Sequence, residues 1–313
     1  MPPRQTEEQR ADFANALRSV AEEGPLPQAE LDSLSRLEGD DLTSFRDAFG
    51  GLSAPARARL VRALRDVAEA RLRLDFSALN RVALDDPDPL VRLAGINSIV
   101  EDRSPALFDK LLDLLANDPH VELRVAAAED LARFVLLAEL EDLDRETATT
   151  LRTRLLAVVD NEREDQRVRS AALASLGYFS DVDMMERLAA AFTTPLLRLG
   201  AIRGMGRSAD PRWTDRLMPV LGSDFPEMRA EAARALGEIE DERAVTPLVE
   251  LIDDPDQQVR LAVIDALGHI GTEEGREALL YLAEEAQDVV REAAEKALQE
   301  IEDAEGDPLD VAD

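Results

Sequence analysis

The chain has no cysteine, two histidines, two lysines (Lys110 and Lys296) and an aromatic content of only 4%. The missing cysteines exclude disulfides, thiolate metal sites and a cysteine nucleophile. The histidines, His120 and His269, fall in different parts of the chain, and neither has a metal-ligand partner of the expected kind three or four places on. No uninterrupted apolar run approaches membrane-spanning length, and the opening MPPRQTEEQR lacks a basic, apolar secretory signal. A soluble, cytoplasmic protein is expected. Phosphate-cradling loops are missing too: FGGLS and GMGR have neither a preceding strand nor a closing Lys-Ser/Thr, and GHIGTEEGRE opens between helices. Acidic clusters such as Glu240-Asp241-Glu242 and Asp253-Asp254 offer oxygens to a divalent cation but read first as helix caps and solvated turns. No catalytic residue, metal or cofactor is expected.

What is abundant is acid. The net charge of the 313 residues is -30, with a pI near 4.4. Such a surface argues against general binding to nucleic-acid backbones and fits either a high-salt cytoplasm or simple solubility. The hydrophobic content of 45% comes mostly from Ala, Leu and Val, which suit closely spaced helices.

The chain is organised by repetition. Residues 247 to 271, PLVELIDDPDQQVRLAVIDALGHIG, read as a short helix, an Asp-Pro-Asp turn, a second helix and a Gly stop. The second half recurs at Arg57, Arg92, Arg124, Arg169, Arg198, Arg229, Arg260 and Arg291, with spacings of 35, 32, 45, 29, 31, 31 and 31 residues. Seven places after each arginine stands an apolar residue: Leu64, Ile99, Leu131, Leu176, Met205, Leu236, Leu267 and Leu298. Recurrence at this period with helical spacing inside each unit predicts stacked helix pairs.

Before the repeats, Thr6 and Gln9 form a capping box for a helix with the stripe Phe13, Ala16, Leu17 and Val20, and two short helices are expected near 28 to 37 and 41 to 49. Residues 1–52 lack the arginine pattern and are expected to cap the first repeat; 53–301 form the repeat array; 302–313, EDAEGDPLDVAD, are expected to be a disordered acidic tail. Ser104-Pro105, Thr194-Pro195 and Asp210-Pro211 each read as a helix start. The 45-residue interval before Arg169 implies an insertion or longer helices near AELEDLDRETATT. Gly177, Gly206, Gly237 and Gly268, each eight places after a repeat arginine, mark either helix ends or close helix contacts.

The pattern Asp254, Pro255, Val259, Arg260, Ala262, Ala266, Leu267, Gly268 and Ile270 resembles HEAT repeats, including the phycobilisome-lyase-like subgroup, over roughly residues 53 to 301. The resemblance implies an all-α fold, a right-handed α-solenoid (superhelix) of HEAT-like helical hairpins. It also implies a polar ladder made by the Asp before each second helix and the Arg within it. Asp86/Arg92, Asp118/Arg124 and Asp254/Arg260 fit that ladder, whereas Arg163 and Phe192 occupy the Asp position of the units at Arg169 and Arg198. HEAT-repeat hydroxylases hold iron with His-Glu pairs, and this chain has no His-Glu dipeptide.

The segment from Leu196 to Arg234 differs most from its surroundings, with seven arginines and the single tryptophan. Arg203, Arg207, Arg212, Trp213 and Arg234 are the candidate partner-binding residues, because Arg beside Trp can hold carboxylates and stack on planar groups. The plainer alternative gives Arg198 and Arg229 to the ladder and makes Trp213 a filler between helices. Arg203 and Arg207 lie five and nine places after Arg198, and Arg234 five after Arg229, away from the apolar offsets three and seven. The expected function is a non-enzymatic scaffold that binds a protein partner, one with an anionic patch, through a concave surface of second helices. A bilin-lyase-like chaperone holding a linear tetrapyrrole is the alternative, and nucleic-acid binding of the HEAT-like glycosylase type is disfavoured by charge.

Overall fold

The computed structural model describes residues 7–22, 27–70, 74–99, 102–286 and 288–306. These residues form α-helices, short 3-10 turns and connecting turns, with no strand among them. The chain divides into two compact units, Met1–Leu131 and Ala132–Asp313.

The first unit contains α1 (Glu7–Ala21), α2 (Gln28–Ser33), α3 (Gly39–Gly50), α4 (Ala54–Ala70), α5 (Ser77–Leu84), α6 (Pro89–Ile96), α7 (Pro105–Asn117) and α8 (Val121–Asp130). The stripe of α1 buries Phe13, Ala16 and Val20 into one core with Phe45 and Phe49 of α3, Val61 and Leu64 of α4, and Leu79 and Ala83 of α5. The rings of Phe45 and Phe49 stack with centroids 5.5 Å apart. Ser104 caps α7 by accepting from the Leu107 amide, and Pro105 fills the first turn, where no amide partner is needed. The Thr6 end of the expected capping box lies outside the described residues.

The second unit contains α9 (Ala132–Glu139), α10 (Arg145–Asp160), α11 (Gln166–Leu176), α12 (Val182–Phe192), α13 (Arg198–Arg207), α14 (Thr214–Leu217), α15 (Pro226–Ile239), α16 (Val245–Val249), α17 (Gln257–Ile270), α18 (Glu273–Glu285) and α19 (Asp288–Gly306). The long interval before Arg169 is filled by α9 and by α10, 16 residues capped by Asp144. The second helices α11, α13, α15, α17 and α19 pack consecutively, each against the next. Their apolar offsets are fully buried at Ala201, Met205, Ala232, Leu236, Val263 and Leu267. The last helix continues to Gly306, past Ile301; residues 307–313 of the expected tail lie outside the described residues.

Thr194-Pro195 does not open α13. Thr194 donates its hydroxyl back to the Ala190 carbonyl, closing the end of α12, and α13 starts at Arg198 after Leu197 with no side-chain cap. Asp210 does cap the turn that follows by accepting from the Arg212 amide, but Pro219 keeps that first helix short, as α14 flanked by 3-10 turns.

The glycines resolve as close contacts. A Cβ on Gly206 would sit 2.7 Å from Ala235 Cα, and one on Gly237 2.6 Å from Ala266 Cα. On Gly268 it would reach 3.1 Å from Ala297 Cβ, and on Gly177 it would collide with the backbone of Gly204. Offset eight of one repeat thus meets offset six of the next, where only Gly or Ala stands. The true stop of α17 is Gly271, at φ +67°, a left-handed conformation that glycine adopts without steric cost.

Candidate functional site

The polar ladder has a specific wiring. In each fully formed rung, the arginine gives one guanidinium N–H to a carbonyl of its own repeat and the others to the carboxylate of the following repeat. In the first unit, Arg57 Nη2 donates to Asp86 at 2.8 Å. Arg92 Nη1 donates to the Asp86 carbonyl at 2.8 Å and Nε to the Asp118 carboxylate at 2.9 Å. In the second unit, Arg229 Nη1 donates to the Ser223 carbonyl, and Nε and Nη2 each reach Asp254 at 2.8 Å. Arg260 then donates to the Asp254 carbonyl at 2.6 Å. The pairings Asp86/Arg92, Asp118/Arg124 and Asp254/Arg260 that the resemblance implied are therefore the carbonyl half of the ladder. Where Phe192 replaces the aspartate, Arg198 stacks over its ring, 4.9 Å from the centroid. Arg169 bonds the Val159 carbonyl at 2.9 Å. The ion pair gives way there to cation–π and carbonyl contacts.

On the exposed side of α13 and α15, the arginines of the candidate set meet carboxylates that the sequence reading had not paired with them. Arg203 donates Nε and Nη2 to the two oxygens of Glu231, both at 2.8 Å, and Glu231 is only 5% exposed. Arg234 lies 3.7 Å from the same carboxylate. Arg207 turns the other way, bonding Ser175 Oγ at 3.3 Å and lying over the Tyr178 ring at 5.5 Å. Glu238 of α15 faces Arg207, Arg203, Glu231 and, from α17, His269. Its carboxylate keeps contact with solvent, yet protein surrounds it closely enough that desolvation pushes its pKa up, against the pull of Arg207. His269 shares Nδ1 with the Asp265 carbonyl at 2.9 Å.

The structure thus brings Arg203 and Arg234 together on Glu231, with Arg207 near Glu238 but turned toward Ser175 and Tyr178, while the other two candidates have partners of their own. Trp213 is 4% exposed, and its indole N–H donates to Ser208 Oγ at 3.1 Å. The tryptophan fills the space between helices, as the plainer reading has it. Arg212 is exposed and pairs with its neighbour Asp210 at 2.7 Å. The residue that sequence reasoning missed is Glu231. Its signal was available: two places after the repeat arginine, six of the other units carry Gly or Ala, namely Ala94, Ala126, Ala171, Gly200, Ala262 and Ala293. A lone carboxylate on that small-residue row must find a cation when the helices close over it.

Among the described residues, no group of three or more acidic or histidine side chains is arranged to hold a metal ion, and no helix is long and apolar enough to cross a membrane. A cavity of about 300 Å³ opens beside Arg260, lined also by Ile252, Asp253, Tyr281, Leu282 and Val290.

No curated protein matches the chain. Among solved structures it is similar to an engineered protein at 23% identity, covering 63% of this chain and 96% of that one with a TM-score of 0.39. It is similar to human deoxyhypusine hydroxylase in complex with glycerol at 17% identity, covering 80% and 100%, TM-score 0.33. A third likeness is to Kap121p at 12% identity, covering 94% of this chain and 46% of that one, TM-score 0.36. These likenesses are too loose to assign an activity. The family model described as HEAT repeats matches residues 193–260 and 214–299, the stretch that carries the 31-residue register from α13 to α19.

Proposed function

We propose that the chain is a non-enzymatic scaffold that binds a protein partner on the face formed by α13, α15 and α17, and that the partner presents an anionic patch there. The observation that carries this reading is the pair Arg203 and Arg234 on Glu231, with Arg207 near Glu238, on a chain of net charge -30. Arg203 is held rigid by two bonds to a buried carboxylate, whereas Arg234 shares that carboxylate at 3.7 Å, beyond hydrogen-bonding distance, and keeps donors for an outside acceptor. A fixed guanidinium beside a donor-rich one orients an incoming carboxylate more than it adds bulk affinity. In the first unit, α1 to α3 act as the cap of the helix pairs that follow.

The test is affinity capture from native lysate with the intact chain and with Arg203→Glu combined with Arg234→Glu. The variant, made in a Glu231→Ala background so that no carboxylate is left buried without a cation, is expected to keep its helicity and lose a protein that the Glu231→Ala chain captures. Equal recovery of every protein by a well-folded double variant would remove this face from the function.

A further inference from the structure

Arg203, Arg234, Asp265 and Lys296 follow one another at intervals of 31 residues, one on each of α13, α15, α17 and α19. Each lies five residues past its repeat arginine, so the four share one helical phase and form a row across four consecutively packed helices. Their side chains are 31%, 42%, 61% and 78% exposed, rising along the row. Three of these side chains have a polar or charged neighbour on their own helix: Glu231 for Arg234, the His269 imidazole at 3.8 Å for Asp265, and Glu300 at 3.1 Å for Lys296. The row therefore presents positive, positive, negative and positive charge in a fixed order.

The spacing of the row selects a conformation. Helices packed side by side have axes about 8–10 Å apart. A polyproline II segment has three residues per turn and rises about 3.1 Å per residue, so every third side chain returns to the same side after roughly 9 Å. A β-strand alternates faces with a period of two and turns every third side chain away. The adjacent row, nine places after each repeat arginine, reads Arg207, Glu238, His269 and Glu300. Its carboxylates, with Asp265, repel a uniformly acidic segment, which gives the surface a means of rejecting simple polyanions.

We propose that this row is a docking surface for a polyproline II segment of a partner protein that carries charge at every third residue, acidic, acidic, basic and acidic from α13 to α19. The proposal rests on the scaffold reading above and adds the conformation and charge order of the partner.

The experiment measures fluorescence anisotropy of three labelled synthetic peptides with the full chain at low ionic strength. The first is Asp-Pro-Pro-Asp-Pro-Pro-Lys-Pro-Pro-Asp. The second has the same composition with charges at every second position, and the third replaces the lysine of the first by aspartate. The first peptide is expected to bind about tenfold more tightly than either of the others, a difference that salt removes. Asp265→Lys, at an exposed position with circular dichroism as the fold check, is expected to reverse the preference between the first and third peptides. Equal binding of the first two peptides, a wild-type preference for the all-acidic one, or a preference unmoved by Asp265→Lys would overturn the proposal. A chain that sediments as a dimer and becomes monomeric with Asp265→Lys would also overturn it, assigning the row to a second copy. If the peptides fail while Arg203→Glu with Arg234→Glu still abolishes partner capture, the charge order falls and the scaffold reading stands.

Discussion

Arg229 and Asp254 meet across the boundary between two repeats as a two-point pair, with Nε and Nη2 each 2.8 Å from a carboxylate oxygen and side chains only 12% and 4% exposed. Asp254 also accepts from the Asp256 amide at the head of α17, so it fixes both the turn and the neighbouring repeat. Removing one partner of a pair this well covered strands the other. Asp254→Ala is expected to lower stability by about 3–5 kcal/mol in chemical denaturation. A loss under about 1 kcal/mol would show that the rung behaves as a screened surface pair.

The same logic gives a pH dependence. The hydrogen bond from the Arg243 guanidinium, helped by Thr214, lowers the pKa of Asp241 to about 2 from 3.8. A depressed carboxylate contributes stability above the unfolded value, and that contribution is lost as pH falls from there through about 2. Acid titration followed by circular dichroism should show Asp241→Asn less stable than wild type at neutral pH, with the two curves converging toward pH 2. Parallel curves across the range would mean that the pairing does not persist in solution.

Glu238 is the opposite case. Its raised pKa means that ionisation costs folding free energy; the cost is absent below the unfolded value of 4.5 and grows as pH rises through the folded one. Glu238→Gln should therefore raise the melting temperature at pH 7 and leave it unchanged near pH 4. The gain is small because solvent still reaches the carboxylate. A destabilised variant at pH 7 would show that attraction to Arg207 outweighs desolvation.

Gly237 and Gly222 make a matched comparison. A methyl on Gly237 would press on the Ala266 backbone, whereas one on Gly222 meets nothing within 4 Å. Gly237→Ala is expected to cost about 1–3 kcal/mol and Gly222→Ala close to nothing. Similar costs at both sites would mean that the second helices have room to separate.

Leu267 is fully buried between α17 and its neighbours. Leu267→Ala is expected to cost about 2–5 kcal/mol, since the surrounding helices collapse only in part around the space left. Denaturant melts that shift by less than about 0.5 kcal/mol would place this side chain outside the core.

The helical repeats were legible because burial has a period. Leu236 and Leu267 recur at one offset, and the small residues Ala235 and Ala266 at another, since every repeat solves the same packing problem. Partner choice was less legible. The resemblance to HEAT repeats put Arg92 with Asp86, and the two do touch, but through the Asp86 carbonyl; the carboxylate bond goes to Asp118, 26 residues on. A guanidinium with five donors serves both, and only the fold decides which carboxylate is near. Thr194-Pro195 misled for a related reason: its hydroxyl had a carbonyl of the preceding helix within reach and closed that helix instead of opening the next. Arg203 and Arg234 lie off the buried offsets, but the buried Glu231 between them was visible only as a break in a row of small residues.

The ladder also gives the array a direction. In each ion-pair rung at Arg57, Arg92 and Arg229 the guanidinium reaches forward to the next repeat, while the aspartate holds its own turn whether or not an arginine precedes it. Peeling repeats from the C-terminal end therefore leaves a half-buried cation with no carboxylate, whereas peeling from the N-terminal end leaves an aspartate still bonded to backbone amides. The two sides of each such rung are chemically inequivalent, and losing the repeat that follows the arginine costs more than losing the repeat that precedes the aspartate.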